Sequence, residues 1–306
     1  MFPRARAASC RNVVSNATYD IAKTKAILVK CKSEGVTISN ALFVLCNFAW
    51  IRTSRARRSA TTVFAPETLP MMMYTAINIR PHLPIPPPPA SFVFLAVAYF
   101  NVVLPTFLPS TSNLLPVFWH RARCVRLQKL KYLNSPMLVS RIQEMSKARG
   151  RRAKIFAKED DNVLRGPHGH STVPPTAPRP ASKLLPNALQ APGLVSKPPS
   201  PPAQSPSAQP APPSAALLGL SLLGNLDEVY NAESYPSIQL TRLTCGTRKG
   251  KGGMLMFSHT FRGRLFLSLG WDAHGFSGGV VEEFWSRVQS GVDEFLVGGR
   301  HTLHRL

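Results

Sequence analysis

Acidic residues are scarce: 15 Asp and Glu stand against 37 Lys and Arg, a formal charge of +22 over 306 residues. A polyanion, nucleic acid above all, is the first partner such a balance suggests. The signatures that would make that partner specific are missing, however. There is no zinc-finger spacing, no RNP-type motif, and no interleaving of cations with aromatic residues as in a single-strand binder. The cations cluster at residues 52–58, 121–131, 141–152 and 248–251, chiefly as solvated helix faces, so nucleic acid is not an expected partner. Cysteine is sparse too. Cys10, Cys31, Cys46, Cys124 and Cys245 are odd in number and lack metal-like spacing, which argues against a disulfide framework and for a reducing, cytoplasmic setting. The Arg-rich start has no acid before Asp20, a faint transit-like signal, but no apolar h-region, so secretion is not expected. Long apolar runs are nearly absent. Residues 91–108 alone approach a membrane span, and the Asn101 and Pro105 inside them favour a buried strand over a membrane helix.

Proline is abundant, but unevenly so. Of 29 prolines, 15 fall between Pro167 and Pro213, among Ala, Ser and Gln with almost no aromatic residue. Such a stretch buries too little apolar area to offset its ordering entropy, and residues 162–213 are expected to form a disordered linker. Residues 1–16 are expected to be disordered as well, and residues 298–306 to form a tail. What remains, residues 17–161 and 214–297, is enough for a sizeable core.

Periodicity locates the elements. Residues 254–261 and 265–271 alternate as two strands around Arg262, Gly263 and Arg264. From Val281 the apolar residues Phe284, Trp285, Val288, Val292, Phe295 and Leu296 fall on one helix face. Asp20 is placed to cap a helix ended by Gly35, and Ser39 a second, nearly all-apolar helix. Strands are predicted over residues 71–80, 92–104, 216–226 and 238–245, and basic surface helices over 117–133 and 137–160. The class is mixed α/β: one sheet with flanking helices, interrupted by the proline-rich segment.

Several motifs have plainer explanations than the chemistry they suggest. Gly275-Phe-Ser-Gly-Gly279 matches G-x-S-x-G, with Asp293 and His301 following in hydrolase order. Too little chain follows Ser277 for further strand–helix units, so its hydroxyl is expected to cap a helix. Residues 246–251 are one residue short of a phosphate loop. His168 and His170 lack a third metal ligand nearby, and no metal is expected. His120, His259 and His274 read as single histidines at element edges.

The run AKTKAILVKCKSEGVTISNALFVLCNFAW resembles the two helices that open the C-terminal lobe of condensation-domain-like, chloramphenicol-acetyltransferase-like acyltransferases. MMMYTAINIRPHL and FVFLAVAYFNVVLP look like that lobe's paired strands, LLGLSLLGNLDEVY like the strand bordering its channel, and the hairpin and last helix like its closing segment. Among such enzymes the chain looks most like fungal acetyltransferases of the trichothecene 15-O-acetyltransferase type. The resemblance implies acyl transfer from acetyl-CoA or another acyl-CoA to a small-molecule alcohol. In that scheme a histidine of H-H-x-x-x-D deprotonates the hydroxyl while nearby donors stabilise the oxyanion.

The sequence departs from that pattern decisively. None of its eight histidines has a histidine neighbour or an aspartate four residues on, and D-F-G-W-G is missing too. The resemblance therefore implies a C-terminal lobe without its general base, the N-terminal lobe being expected from the same gene or from a second chain. Truncation of the coding frame is favoured over a second chain or a decaying paralogue, and the proline-rich segment reads as either insertion or retained intron. By the same resemblance Asn101 faces the channel, Ser221 donates toward the oxyanion, and Arg80 and Asn225 meet substrate. A structural hydrogen bond is the alternative for Asn101 and Ser221, because a buried polar group without a partner costs about 1–3 kcal/mol. The competing class is a non-catalytic basic protein that binds nucleic acid or a membrane surface.

Overall fold

The first strand is one the sequence hides. In the computed structural model, which describes residues 10–57, 70–83, 96–165, 216–230, 236–247, 249–250 and 252–298, β1 (Asn12–Tyr19) includes five of the residues expected to be disordered. Its polar alternation suits an edge strand with one face open. Asn16 accepts a 2.6 Å hydrogen bond from Ser268, and Asn12 accepts one of 2.6 Å from the Lys249 backbone.

Asp20 caps α1 (Ile21–Ser33) by accepting from the Lys23 backbone at 2.7 Å, and Gly35 at φ +70° ends it. The cap of α2 (Ile38–Ala56) is Thr37 rather than Ser39, because Thr37 and Asn40 bond each other's backbone in a capping box. Every residue from Asn40 to Ile51 is buried, as the all-round apolar pattern requires. The paired strands β2 (Met71–Asn78) and β3 (Val97–Leu104) follow, then α3 (Leu115–Leu133) and α4 (Leu138–Arg165). α3 lies less on the surface than expected: Phe118, Trp119, Arg121, Ala122 and Val125 are buried. After β4 (Ala216–Asn225), the predicted hairpin is β5 (Met254–Phe261) and β6 (Arg264–Asp272), turning through Arg262 at φ 51° and Gly263 at φ 67°. α5 (Val280–Gly291) continues into a π-helical turn, Val292–Val297.

The six strands form one mixed sheet in the order β1-β6-β5-β4-β2-β3. β2, β4 and β5 are mutually parallel neighbours and the other pairings are antiparallel. Residues 238–245, predicted as a strand, are irregular. Ile238 and Leu240 stay 62% and 42% exposed, and both sides of the neighbouring strands β4, β5 and β6 are already paired. Residues 162–165, placed in the linker, extend α4; the rest of that segment lies outside the described residues, as does the tail from residue 299.

α1, α2, α3 and α5 share one core with a single face of the sheet, through residues such as Met73, Val102, Leu220, Met256 and Leu267. At its centre Phe118 stacks on Phe295 at 4.6 Å, and Phe48 meets both edge-on. The buried Arg121 is satisfied by Asn47 at 2.6 Å and the Phe107 carbonyl at 2.5 Å. Contacts divide the chain into two units, residues 1–146 with 214–306, and residues 147–213. Among the described residues no single helix is long and apolar enough to cross a membrane; α1 and α2 pass only as a pair bent by 95°.

Candidate functional site

The face of the sheet turned away from those helices gathers the first two predicted residues. Hydrogen-bonding register aligns Asn101, Tyr74, Gly219, Leu255, Gly270 and Val14 in one row across all six strands. Ser221 stands in the next row, opposite Phe257, which is opposite Ser268. Asn101 and Ser221 thus share a face, two strands apart. The burial expected of Asn101 is not found. It is exposed, because β3 turns Phe100 and Val102 inward and Asn101 outward, and Ser221 is half-buried.

Two glycines shape this face. A Cβ on Gly219 would come within 2.5 Å of the Tyr74 ring and 2.6 Å of Leu255, so the missing side chain lets both close over β4. Gly270 leaves similar room for the stem of Lys249, whose Cε would lie 3.4 Å from a Cβ there. Lys249 is 7% exposed, its Nζ sits 5.3 Å from the centre of the Phe257 ring, and no described residue hydrogen-bonds it. Burial pulls its ammonium down from 10.5 to about 8. Sequence reasoning saw only a basic loop here; the small Gly270 between large apolar neighbours was the available signal.

Arg80 and Asn225 lie elsewhere, Arg80 just past the carboxyl end of β2 and Asn225 at the carboxyl end of the adjacent parallel strand β4. Arg80 opens a 3-10 turn and donates its backbone N–H to Asn78 at 3.0 Å. Asn225 follows Gly224 at φ +79° and accepts from the Asp227 backbone and the Thr260 hydroxyl at 3.2 and 3.3 Å, making the turn that Gly224 and Asn225 suggest. Asn225 also borders a cavity of about 540 Å³ between α1, the start of α2 and the ends of β4 and β5. This cavity is on the helix-bearing side. Its walls are aliphatic (Leu28, Val29, Ile38, Leu222), and Lys25 and Asp227 bring opposite charges to its lining.

His259 is not at an element edge. It is buried within β5, stacks on Phe266 at 5.0 Å, and has its Nδ1 3.8 Å from the Cys245 thiol. Desolvation holds its pKa below the ordinary range, against a hydrogen bond with the Leu243 backbone that raises it. Ser277 is exposed and makes no cap: Gly279 at φ +73° is the N-cap residue, without a side-chain bond. Asp293 pairs with Lys23, and His301 is outside the described residues. Asp272, fully buried, accepts backbone N–H groups from Arg11, Gly252 and His274 at 2.9, 2.9 and 3.2 Å; these bonds keep its pKa low although burial raises it. Among the described residues no three His, Cys, Asp or Glu side chains converge as metal ligands; His168 and His170 lie outside them.

The sequence matches no family model and no curated protein. Solved structures do match. The trichothecene 15-O-acetyltransferase of Fusarium sporotrichioides superposes with a TM-score of 0.55 at 10% identity, over 94% of this chain and 47% of that one. A nonribosomal peptide synthetase superposes with a TM-score of 0.50 at 11% identity, over 98% of this chain and 23% of that one. The chain therefore spans about half the length of the acetyltransferase and about a quarter of the synthetase. At such identities the likeness is one of fold: a mixed six-stranded sheet with flanking helices, of the chloramphenicol-acetyltransferase-like, condensation-domain kind.

Proposed function

We propose that this chain is one lobe of an acyl-CoA-dependent O-acyltransferase, an O-acetyltransferase of trichothecene-like fungal secondary metabolism, working in the cytoplasm. The observation that carries the reading is the fold correspondence of nearly the whole chain with half of an acetyltransferase. In the reaction, the alcohol oxygen attacks the thioester carbonyl carbon, the C–S bond breaks, and the hydroxyl proton passes through a base to the departing thiol. No histidine of this chain stands in an H-H-x-x-x-D motif, so the base comes from a second lobe, encoded in the same gene or by another chain. In this reading the Asn101 amide faces the reaction channel and the Ser221 hydroxyl donates toward the oxyanion. Arg80 and Asn225, at the strand ends, contact substrate. Acetyl-CoA is the co-substrate.

The test is thiol release from acetyl-CoA in the presence of an alcohol acceptor, with and without the H-H-x-x-x-D segment encoded upstream on the full transcript. The expected result is no release by this chain alone and release once that segment is present. Asn101→Ala and Ser221→Ala should then slow turnover by about 10- to 100-fold, somewhat below the loss of a fully built oxyanion donor. A transcript that begins at Met1, or no release from the joined segments, would sink the reading.

A second reading is favoured by one observation in the other unit. Lys147, Arg151, Lys154 and Lys158 recur at spacings of 4, 3 and 4 along α4, and all are exposed. Binding to random-sequence DNA that weakens steeply with salt, without acetyl-CoA turnover, would support a non-catalytic basic protein instead.

A further inference from the structure

The cavity beside α1 shares only Asn225 with the acyl-transfer reading. It lies on the helix-bearing side of the sheet, whereas Asn101 and Ser221 lie on the other. Alternation along β5 turns Ser258 and Thr260 toward α1, and both line the cavity. Their hydroxyls differ. Thr260 donates to Asn225 at 3.3 Å, and Thr24 across the cavity donates to the Tyr19 carbonyl and accepts from Leu265. Ser258 is 4% exposed and no described residue hydrogen-bonds its side chain. Its hydroxyl therefore stays open to the cavity, where a ligand oxygen can take the place of water as its hydrogen-bond partner.

The walls point to the rest of that ligand. Leu28 and Val29 are adjacent on α1 yet 39% and 59% exposed, an unusual placement for aliphatic side chains on a helix that also has an inward face. They line the cavity together with Ile38 and Leu222. Lys25 and Asp227 offset each other, so nothing there selects an ion. The volume of about 540 Å³ is that of a small-molecule site rather than a groove for a folded partner. We propose that this cavity binds a neutral aliphatic molecule carrying a hydroxyl or carbonyl oxygen, its chain along Leu28 and Val29 and its oxygen at Ser258.

The probes are straight-chain 1-alkanols from butanol to decanol, titrated calorimetrically into the full chain. Affinity should rise about two- to fourfold per added methylene, the transfer value for a buried CH2, until the chain outgrows the cavity. Ser258→Ala should weaken every alkanol several-fold. Val29→Glu, at an exposed position that leaves the fold's circular dichroism and melting unchanged, should weaken them at least tenfold. The proposal is overturned if no alkanol binds up to its solubility limit, if both variants bind like wild type, or if octanoate binds while octanol does not. Because the site lies on the opposite face from Asn101 and Ser221 and shares only Asn225 with the acyl-transfer reading, a chain inactive in the thiol-release test would leave these expectations intact.

Discussion

On its helix-bearing side the sheet presents Met73, Val102, Leu220, Met256 and Leu267 to four helices, and the aromatic rings of Phe48, Phe118 and Phe295 close the centre. On the other side the same strands present Asn101, Tyr74, Ser221, Phe257 and a lysine folded down over glycine. Both sides derive from one alternation with a period of two, yet they answer to different demands. The first is selected for shape and apolar area, so a volume change there is costly. The second keeps half-buried rings beside amides and hydroxyls, where a group can be removed cheaply but its chemistry goes with it.

Five substitutions would break or sharpen that contrast. Phe118→Ala opens the aromatic centre and should cost about 3–5 kcal/mol, seen as a lower urea midpoint with an unchanged slope. Lys249→Met should act in the opposite direction. Between about 8 and 10.5 the unfolded chain holds a proton that the folded chain has released, so wild-type stability should climb with pH across that window. Below it the desolvation cost is fully present, and the methionine variant should be more stable at neutral pH by up to about 3 kcal/mol, with the climb abolished. A denaturation series from pH 6 to 11 decides it; an unchanged climb in the variant would remove Lys249 as its source. Gly219→Ala should cost about 1–3 kcal/mol through the Tyr74 ring, and Tyr74→Ala in the same chain should recover most of that loss, a coupling visible in a double-mutant cycle. Asn101→Ala should change stability by no more than about 0.5 kcal/mol, which thermal melting can confirm, whatever it does to turnover.

The elements easiest to find in the sequence were those whose pattern and partners are local. The hairpin at Arg262 and Gly263 and the α5 face are read correctly because alternation and a helical period follow one another within a few dozen residues. Asp20 and Gly35 bracket α1 for the same reason. What escaped depends on distant strands. β1 looks polar because its mates are Ser268 and the Lys249 backbone, some 240 to 250 residues away. Residues 238–245 alternate as a strand should, and nothing local says that β4, β5 and β6 are already paired on both sides. The site divides the same way. Composition could single out Asn101 and Ser221 as polar residues in apolar strands, but their common face and the exposure of Asn101 follow only from register. The free hydroxyl of Ser258 left no trace in the sequence at all.

The seam where β2 meets β4 has a consequence for how this protein could be taken apart. Its pairs, Met72 with Ala216 and Thr75 with Leu220, join residues about 145 positions apart, and among the described residues they are the only ladder between strands of the first and second halves other than that of β1 with β6. Each half alone would carry an unpaired strand as a sticky margin. Cut anywhere between Arg165 and Ala216, the chain should therefore behave as a split reporter: two fragments, silent apart, that regain one sheet when brought together.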